Sequence, residues 1–244
     1  MVTARTLTAD DFDAVYAAFA DAFSDYVVKF SPNREQLTEM LTRRGYVPEA
    51  SVGLFDDERL VAFTLNGVEG ERAYDSGTGV VLSHRQQGLG RVVMEASFDA
   101  LRRQGCTSYV LEVLDNNHKA IELYRGLGFE EIRALQCWTY QWTENDAGRI
   151  ARAPLPSWQN SDASLARAQD QRVTLGEGSV VFLSNGDLVL RGTLTAGLLR
   201  EAAAIALKPL RIMNVDERDG EVAAFLEGAG AMRTVRQLEL VRKL

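Results

Sequence analysis

Apolar residues recur at steps of three and four in the first part of the chain, a spacing that places them on one face of a helix. The first such stripe ends at about residue 23 and consists of Phe12, Val15, Tyr16, Phe19 and Phe23. The same spacing predicts further helices at about 33–44, 91–103 and 117–126. Four helices are therefore expected before residue 143.

Short apolar segments between these helices predict strands. Their expected positions are 3–7, 51–55, 59–65, 72–82, 107–113 and 132–142, the last being one strand or two. A helix separates strand 72–82 from strand 107–113. This order predicts that the two strands pair in parallel through a right-handed crossover.

The pattern changes after residue 143. Residues 144–171 include Pro154 and Pro156, show no sustained period, and predict a linker with at most one short helix. Beyond it, strands are expected at 179–183, 187–191, 210–215 and 234–241, and helices at 198–207 and 221–227. Asn185 and Gly186, in the loop that begins at Ser184, predict a hairpin between the first two of these strands. We predict a domain at 1–143, a linker at 144–171 and a smaller lobe at 172–244.

The smaller lobe resembles a shortened and diverged copy of the first domain. Segment 51–55 aligns with 179–183 at an offset of 128, and segment 123–129 aligns with 225–231 at an offset of 102. The alignment predicts that the copy lacks a counterpart of strand 72–82 and of the turn at 85–90. It also places Leu226 opposite Tyr124. A duplicated lobe without its own chemistry is expected, which argues against two working sites.

Charge narrows the set of partners. The chain has 244 residues and a net charge of −7, and residues 1–143 hold 21 acidic and 14 basic side chains. This balance argues against nucleic acid as the main partner, and it is compatible with a cationic substrate or simply with a solvated acidic surface. No apolar segment is long enough for a membrane helix, and the N-terminus lacks the pattern of a signal peptide. We expect a cytoplasmic protein that does not bind membranes.

Cysteine and histidine are too few for a metal centre or a disulfide framework. The chain has two cysteines, Cys106 and Cys137, and two histidines, His84 and His118. We expect the cysteines to be core or strand residues, and no metal is expected.

The turn between strand 72–82 and the next helix carries the strongest chemical signal. It reads Arg85-Gln86-Gln87-Gly88-Leu89-Gly90-Arg91. A helix N-terminus attracts anions through its unpaired N–H groups and its dipole, and glycines let a phosphate approach the backbone closely. A dinucleotide fold is an alternative, with Glu112 as the ribose-binding acid, but Val93 stands where that fold requires a small residue.

The turn, together with a second motif, resembles the GNAT superfamily of N-acetyltransferases. Residues 85–90 match the family signature R/Q-x-x-G-x-G/A, and residues 116–129, which end in Tyr-x-x-x-Gly-Phe, resemble the family segment that contacts the cofactor. The resemblance covers about residues 3–142, and Leu82 stands where the family often has proline. It implies an α/β fold with a mixed, mostly antiparallel central sheet flanked by helices, followed here by a partial repeat.

The resemblance also implies a cofactor and a set of contacts. Acetyl-CoA is the expected cofactor and coenzyme A the product. The expected cofactor-binding residues are Val80, Leu82, Arg85, Gln86, Gln87, Gly88, Leu89, Gly90, Arg91 and Asn117. Two of the candidates have a simpler explanation: Asn117 is also a good helix N-cap, and His84 beside the turn is either a phosphate contact or a solvated loop residue.

The implied chemistry is direct transfer of an acetyl group to an amine. Tyr124 is the candidate general acid, since a phenol is mostly protonated at neutral pH, although an aromatic on a helix can simply pack. Asp75 is the candidate general base, with Glu69 or water as alternatives. The acceptor stays open between a small amine, for which the acidic balance favours a cationic one, and a protein amine. A non-catalytic acyl-CoA-binding or scaffolding module is the alternative function, and the oligomeric state cannot be inferred.

Overall fold

The computed structural model describes residues 2–25, 31–167, 171–183, 185–206 and 208–244. The chain forms two compact units. The first consists of residues 1–113, 117–130 and 240–244, and the second of residues 114–116 and 131–239. This division differs from the predicted boundary at 143. Residues 131–143 lie in the second unit, and the last five residues of the chain lie in the first.

The first unit is built on strands β1 to β5 and helices α1 to α4. The strands are β1 Val2–Thr6, β2 Val52–Asp56, β3 Arg59–Glu69, β4 Arg72–Val80 and β5 Ser108–Leu114. The helices are α1 Phe12–Ala22, α2 Arg34–Arg43, α3 Leu89–Arg103 and α4 His118–Gly126. Short 3₁₀ helices occur at Ala9–Asp11, Pro48–Ala50 and Leu82–His84. Each helix and strand predicted for this region is present.

The strands of this unit follow one another in chain order. Neighbouring strands from β1 to β4 are antiparallel, whereas β4 and β5 are parallel, as the intervening helix predicted. Helix α1 packs its predicted stripe on the sheet, where Val15, Phe19 and Ala22 are buried against Phe63 and its neighbours. The architecture confirms the predicted mixed, mostly antiparallel sheet flanked by helices.

The second unit contains strands β6 to β13 and helices α5 to α7. The strands are β6 Glu130–Tyr140, β7 Arg149–Ile150, β8 Gln171–Leu175, β9 Gly178–Phe182, β10 Asp187–Gly192, β11 Leu194–Thr195, β12 Leu210–Asp216 and β13 Met232–Lys243. The helices are α5 Asp162–Ala166, α6 Ala196–Ala206 and α7 Gly220–Gly228. The order of its sheet is β13-β6-β12-β10-β9-β8, and β7 pairs separately with β11. Its buried cluster includes Trp138, Leu199 and Leu226.

Most of the second-unit predictions are confirmed. The expected strands and helices are present within a few residues, β6 is one strand, and α5 is the short helix in the predicted linker. The predicted linker also contains the short strand β7, and β8 begins at its last residue. Ser184 of the predicted hairpin loop and Leu207 at the end of a predicted helix lie outside the described residues.

The two units share an order of elements and strand pairings. The run β2-β3-β4-α3-β5-α4 has the same order as β8-β9-β10-α6-β12-α7. In both runs the first three strands pair antiparallel, and the third pairs in parallel with the fourth. Strand β5 and helix α4 recur as β12 and α7 with both bounds shifted by 102 residues.

These pairings correct the predicted alignment. The offset of 128 placed 179–183 opposite β2, but those residues form β9, which has the pairings of β3. The prediction that the second lobe lacks a counterpart of strand 72–82 is therefore wrong, because β10 pairs and connects as β4 does. Length misled the alignment, since β10 has 6 residues and β4 has 9.

Candidate acyl-transfer site

The backbone between β4 and α3 forms an open cradle. Gln86 and Gly88 adopt left-handed φ angles of 64° and 77°. At Gly88 this angle causes no strain, because glycine has no Cβ. Gly88 is the N-cap of α3 and provides no side-chain cap, while its carbonyl accepts the N–H of Arg91 at 3.0 Å. A Cβ at Gly88 would have no heavy atom within 4 Å among the described residues. The space beside Gly88 is therefore open, and it adjoins the start of α3, where the helix dipole and the first unpaired N–H groups lie.

Gly90 differs from Gly88. A Cβ at Gly90 would lie 3.4 Å from Leu123 Cδ2 and 3.9 Å from Val80 Cγ2, and its φ is not left-handed. A Cβ at Gly90 would therefore make ordinary van der Waals contacts with α4 and the end of β4, whereas Gly88 provides the turn. Gln87 and Arg91 are exposed beside the cradle, and Arg91 contacts the Gly126 carbonyl at 3.3 Å.

The Arg85 side chain points away from the cradle toward the end of α1. Its guanidinium binds both carboxylate oxygens of Asp25, at 2.7 and 2.9 Å, and the Ala22 carbonyl at 2.8 Å. Its Nε contacts the Val80 carbonyl at 3.4 Å. The N–H of Leu82 donates to Asp21 Oδ1 at 2.7 Å. Two residues that were predicted to contact the cofactor, Arg85 and Leu82, are thus hydrogen-bonded to α1 and to Asp25, which follows it.

A gap opens between β4 and β5 on the side of this turn. The two strands pair only from Arg72/Ser108 to Tyr74/Val110, although β4 continues to Val80 and β5 to Leu114. A bulge in β4 starts the divergence, since Asn66 faces Asp75 while Leu65 faces Gly77, so that Ser76 is the extra residue. Asp75 is the first residue of β4 beyond this pairing, and Glu112 of β5 lies two residues beyond Val110.

Asp75 is a buried carboxylate with a raised pKa. It accepts hydrogen bonds from the Gly77 N–H at 2.9 Å and from the Thr78 hydroxyl at 2.7 Å. Burial raises the pKa of Asp75 to about 6, against the opposing effect of these two donors and of the Arg44 charge. A carboxyl with this pKa exchanges a proton near neutral pH. Glu69, the alternative base, is the last residue of β3 and faces Arg72, the first residue of β4.

Tyr124 lies on α4, with its ring 5.7 Å from that of Phe129 and only 8% of its surface exposed. Asn117 is the N-cap of α4, and its side-chain oxygen accepts the Ala120 N–H at 3.3 Å. The capping role that the sequence allowed for Asn117 is therefore present. Burial raises the pKa of Tyr109 most, and the negative charge of Asp75 and the Tyr124 hydroxyl also raise it, so each of these two groups lies within electrostatic reach of Tyr109.

A buried polar network was not recognised in the sequence. The Tyr109 hydroxyl donates to Asn66 Oδ1 at 2.5 Å, and Asn66 Nδ2 donates to the Ala50 carbonyl and to Ser97 Oγ. Asn66, Ser97 and Tyr109 are fully buried, and burial raises the pKa of Tyr109 well above its usual range. These residues lie on β3, α3 and β5, so only the tertiary fold brings them together, and an isolated Asn in an apolar strand was the available signal.

The remaining candidates have structural partners. His84 lies 3.6 Å from Asp56, the last residue of β2, and 2.9 Å from Ser83 Oγ. Cys106 is buried and Cys137 half-buried, as expected. Within the described ranges, no group of His, Cys, Asp and Glu side chains is arranged to hold a metal ion, and no helix is long and apolar enough to cross a membrane.

The sequence comparison decides the family. Residues 12–129 match the Acetyltransferase (GNAT) family. The chain contains a GNAT acetyltransferase domain. Over 135 residues it is 29% identical to [ribosomal protein bS18]-alanine N-acetyltransferase of Escherichia coli (strain K12), covering 54% of this chain and 82% of that enzyme. It is also 30% identical over 79 residues to N-alpha-acetyltransferase 30 of Saccharomyces cerevisiae, covering 32% of this chain and 44% of that protein.

Solved structures support the fold over the whole chain. A GCN5-related N-acetyltransferase from Sphaerobacter thermophilus matches with a TM-score of 0.63 at 12% identity, covering 99% of this chain and 95% of that one. A candidate acetyltransferase from Pyrococcus horikoshii matches with a TM-score of 0.70 at 14% identity, covering 100% and 89%. The predicted GNAT family and fold are confirmed, and the homologues of this GNAT domain are N-acetyltransferases, as expected of an enzyme of this class.

Proposed function

We propose that this GNAT domain transfers an acetyl group from acetyl-CoA to a primary amine in a ternary complex. The observation that carries the proposal is the open glycine cradle at the start of α3, next to the gap between β4 and β5. The cradle fits a pyrophosphate because it combines free approach to the backbone with the positive end of a helix. The gap exposes the edge of β4, whose backbone is able to bind an extended arm.

The cradle residues Gln86 to Gly90 would hold the pyrophosphate through backbone N–H groups, and the segment near Val80 would hold the acyl arm. Acetyl-CoA, when bound, supplies an acetyl group activated as a thioester for direct attack by an amine. Gly88 keeps the approach open, and Arg91 adds a positive charge at its rim. The domain thus contributes binding and orientation, which account for much of the catalysis of transfer between two bound substrates.

Tyr124 would hold the proton required by the departing thiolate. A phenol, whose ordinary pKa is about 10, is mostly protonated at neutral pH and is able to donate a hydrogen bond and then its proton to the thiolate as it forms. Its packing against Phe129 fixes the direction of the ring. Asp75 would receive the proton released by the amine, because its pKa of about 6 leaves it mostly ionised at pH 7 while keeping it basic enough to accept a proton.

Glu112 is a second candidate for the base. It is half-buried on β5 at the gap, and the sequence had suggested it only for a dinucleotide fold. Asp75→Asn and Glu112→Gln separate the two roles. The base variant is expected to lower kcat about 100-fold and to remove the acidic limb of the pH–rate profile, while the other variant retains that limb.

The acceptor is proposed to be a primary amine of a protein N-terminus or a small cationic molecule. The relatives named above act on a ribosomal-protein alanine and on N-terminal α-amines, and a mouse relative, thialysine N-epsilon-acetyltransferase, is 30% identical over 80 residues. The excess of acid in residues 1–143 attracts cations, which include both kinds of amine. A panel of N-terminal peptides and polyamines, assayed for thiol release, distinguishes the two classes.

We also propose that the second unit is a degenerate copy without a cofactor site. Helix α6 occupies the place of α3, but Thr195 Oγ1 accepts the Leu198 N–H at 3.0 Å and closes the helix start. Leu226 is fully buried at the position that Tyr124 has in α4. The second unit therefore has neither an open cradle nor a phenol at these positions.

The experiment that tests the cofactor site is calorimetric titration of acetyl-CoA into the wild-type protein, Gly90→Glu and Gly90→Ala. Gly90 is preferable to Gly88, because at Gly88 any side chain would be strained by the left-handed φ angle. Glutamate is tolerated at the start of a helix but repels phosphate, so Gly90→Glu is expected to lower affinity at least tenfold. Gly90→Ala controls for the contact with Leu123.

The outcomes separate enzyme from binding module. Binding that Gly90→Glu weakens and Gly90→Ala largely retains supports the cradle. Binding without acetylation of any amine in the panel supports the non-catalytic acyl-CoA-binding alternative. Absence of acetyl-CoA binding to the wild-type protein, checked by a second method, contradicts both.

A further inference from the structure

We propose that Asp25 and Asp21, at the end of α1, are positioning residues for the cofactor cradle and act through Arg85 and the Leu82 N–H. The inference rests on the proposed function, because it assigns a role to residues that do not themselves line the cradle. It also changes the role of Arg85 from a cofactor ligand to a brace that links α1 to the segment before Gly88.

The first step of the argument is how completely Arg85 is engaged. One guanidinium reaches Asp25 through two hydrogen bonds, the Ala22 carbonyl through a third and the Val80 carbonyl through its Nε. A planar guanidinium in a bidentate pair has a fixed direction. Arg85 would have to break this set of bonds to turn toward a phosphate in the cradle.

The second contact holds the other end of the same segment. Asp21 accepts the Leu82 N–H at 2.7 Å and also lies 3.4 Å from Arg59. Residues 82–85 connect the end of β4 to the turn, with Leu82 at one end and Arg85 at the other. Two carboxylates four residues apart on one segment therefore hold both ends of a four-residue stretch that precedes Gln86 and Gly88.

The third step concerns charge. Two carboxylates close to a phosphate site oppose binding unless cations neutralise them. Here Arg85 neutralises Asp25 and Arg59 neutralises Asp21, so these pairs add little net charge. Attraction of the cradle for phosphate then depends on backbone N–H groups, whose directions depend on the left-handed angles at Gln86 and Gly88. A brace that fixes the preceding residues preserves those directions.

The brace role and the ligand role of Arg85 predict opposite changes in acetyl-CoA affinity when Asp25 is replaced by alanine. If Arg85 is a ligand, Asp25→Ala frees its guanidinium and acetyl-CoA binds as tightly or more tightly. If Arg85 is a brace, Asp25→Ala loosens the turn and raises the Kd and KM for acetyl-CoA by about two- to fivefold, the range of an exposed ion pair, with kcat little changed. Asp25→Glu is expected to restore much of the affinity.

A double-mutant cycle with Arg85→Gln gives the decisive comparison. The brace predicts that Arg85→Gln and Asp25→Ala weaken acetyl-CoA binding to a similar extent and that the double variant is no weaker than the weaker single variant. Asp13→Ala is the matched control on α1, because Asp13 is exposed and pairs with Arg34 away from the turn. Additive effects, or tighter binding by Asp25→Ala, overturn the proposal.

Hydrogen exchange in the cofactor-free protein tests the brace without any activity. Asp25→Ala and Asp21→Ala are expected to speed exchange of the amides in residues 80–92, and Asp13→Ala is not. Unchanged exchange overturns the brace even if the proposed enzyme function holds. Faster exchange with unchanged acetyl-CoA affinity overturns the positioning role. If the wild-type protein does not bind acetyl-CoA at all, both the proposed function and this role are contradicted. The exchange data would then still decide whether the contact braces the turn.

Discussion

Asn117 and Asp219 stand 102 positions apart and cap helices α4 and α7 through the same contact. Each side-chain oxygen accepts the backbone N–H three residues on, at 3.3 Å for Asn117 and 3.2 Å for Asp219. Their φ angles are −86° and −83°, and their ψ angles 66° and 68°. The local geometry at the start of these two helices is therefore the same, whereas the starts of α3 and α6 differ.

The difference between α3 and α6 predicts the number of cofactors. Gly88 leaves the start of α3 open, and Thr195 closes that of α6. We expect acetyl-CoA to bind with a stoichiometry of one per chain in calorimetry, and Thr195→Val to leave that number unchanged. A stoichiometry of two, or a second binding phase that survives Gly90→Glu, would contradict the proposal that the second unit has lost its site.

Tyr124→Phe removes the candidate acid while keeping the ring contact with Phe129. We expect kcat to fall by about 100-fold or more, the usual effect of losing a general acid, with the KM for acetyl-CoA changed less than threefold. Tyr140→Phe, a buried tyrosine of the second unit, is the control and should leave kcat unchanged. Steady-state kinetics with the best amine of the panel provides the measurement, and a wild-type kcat for Tyr124→Phe would exclude this role.

The buried carboxyl of Asp75 predicts a pH dependence of stability. Its pKa is about 6 in the folded protein against 3.8 ordinarily, so folding favours the protonated form. That contribution is fully present below about pH 4 and is lost as pH rises through 6, and the shift corresponds to about 3 kcal/mol. Chemical unfolding at pH 4 to 8 should show the wild-type protein losing stability over this range relative to Asp75→Asn.

Asp13→Asn is the matched control for this experiment, because its carboxylate is exposed and should not change the wild-type slope. The carboxyls of Asp11 and Asp216 act below pH 4 and do not confuse the result. Arg5 lowers the pKa of Asp11 to about 2. At Asp216 burial raises the pKa, but the hydrogen bonds from Arg218 and Arg133 outweigh it and lower the pKa to about 2. Parallel wild-type and Asp75→Asn stability curves between pH 4 and 7 would show that Asp75 ionises without a burial cost.

The C-terminal residues 240–244 belong to the first unit. Leu240 is fully buried, Arg242 lies 4.2 Å from the centre of the Phe98 ring, and the Leu244 N–H donates to the Thr107 carbonyl at 2.9 Å. Leu240→Ala is expected to cost about 2–5 kcal/mol of unfolding free energy. Met232→Ala, at an exposed position of the same strand, should cost less than about 0.5 kcal/mol.

Denaturant unfolding measures both variants. Equal stability of Leu240→Ala and the wild-type protein would contradict the burial of Leu240. The same contacts predict that a chain ending near Trp142 lacks part of this unit, so such a truncation is not a neutral test of the second lobe.

Local features were readable from the sequence. The stripe from Phe12 to Phe23 identified α1, because helix periodicity depends on neighbouring residues. Gly88 identified the turn before α3, because its left-handed φ angle favours glycine. The Tyr124 segment was recognised by its resemblance to a motif of the family. Their family and fold are confirmed, while their individual roles stay proposals.

The remaining features needed the tertiary structure, since they depend on residues far apart in the chain. Arg85 meets Asp25 across 60 positions, so its direction could not be inferred from the turn that contains it. The raised pKa of Asp75 comes from burial at a bulge, and the place of β10 in the repeat comes from its parallel partner β12. Sequence alone thus determined the elements and the position of the turn. Packing between distant segments decided which charges neutralise one another, which carboxyl loses water and which strands correspond.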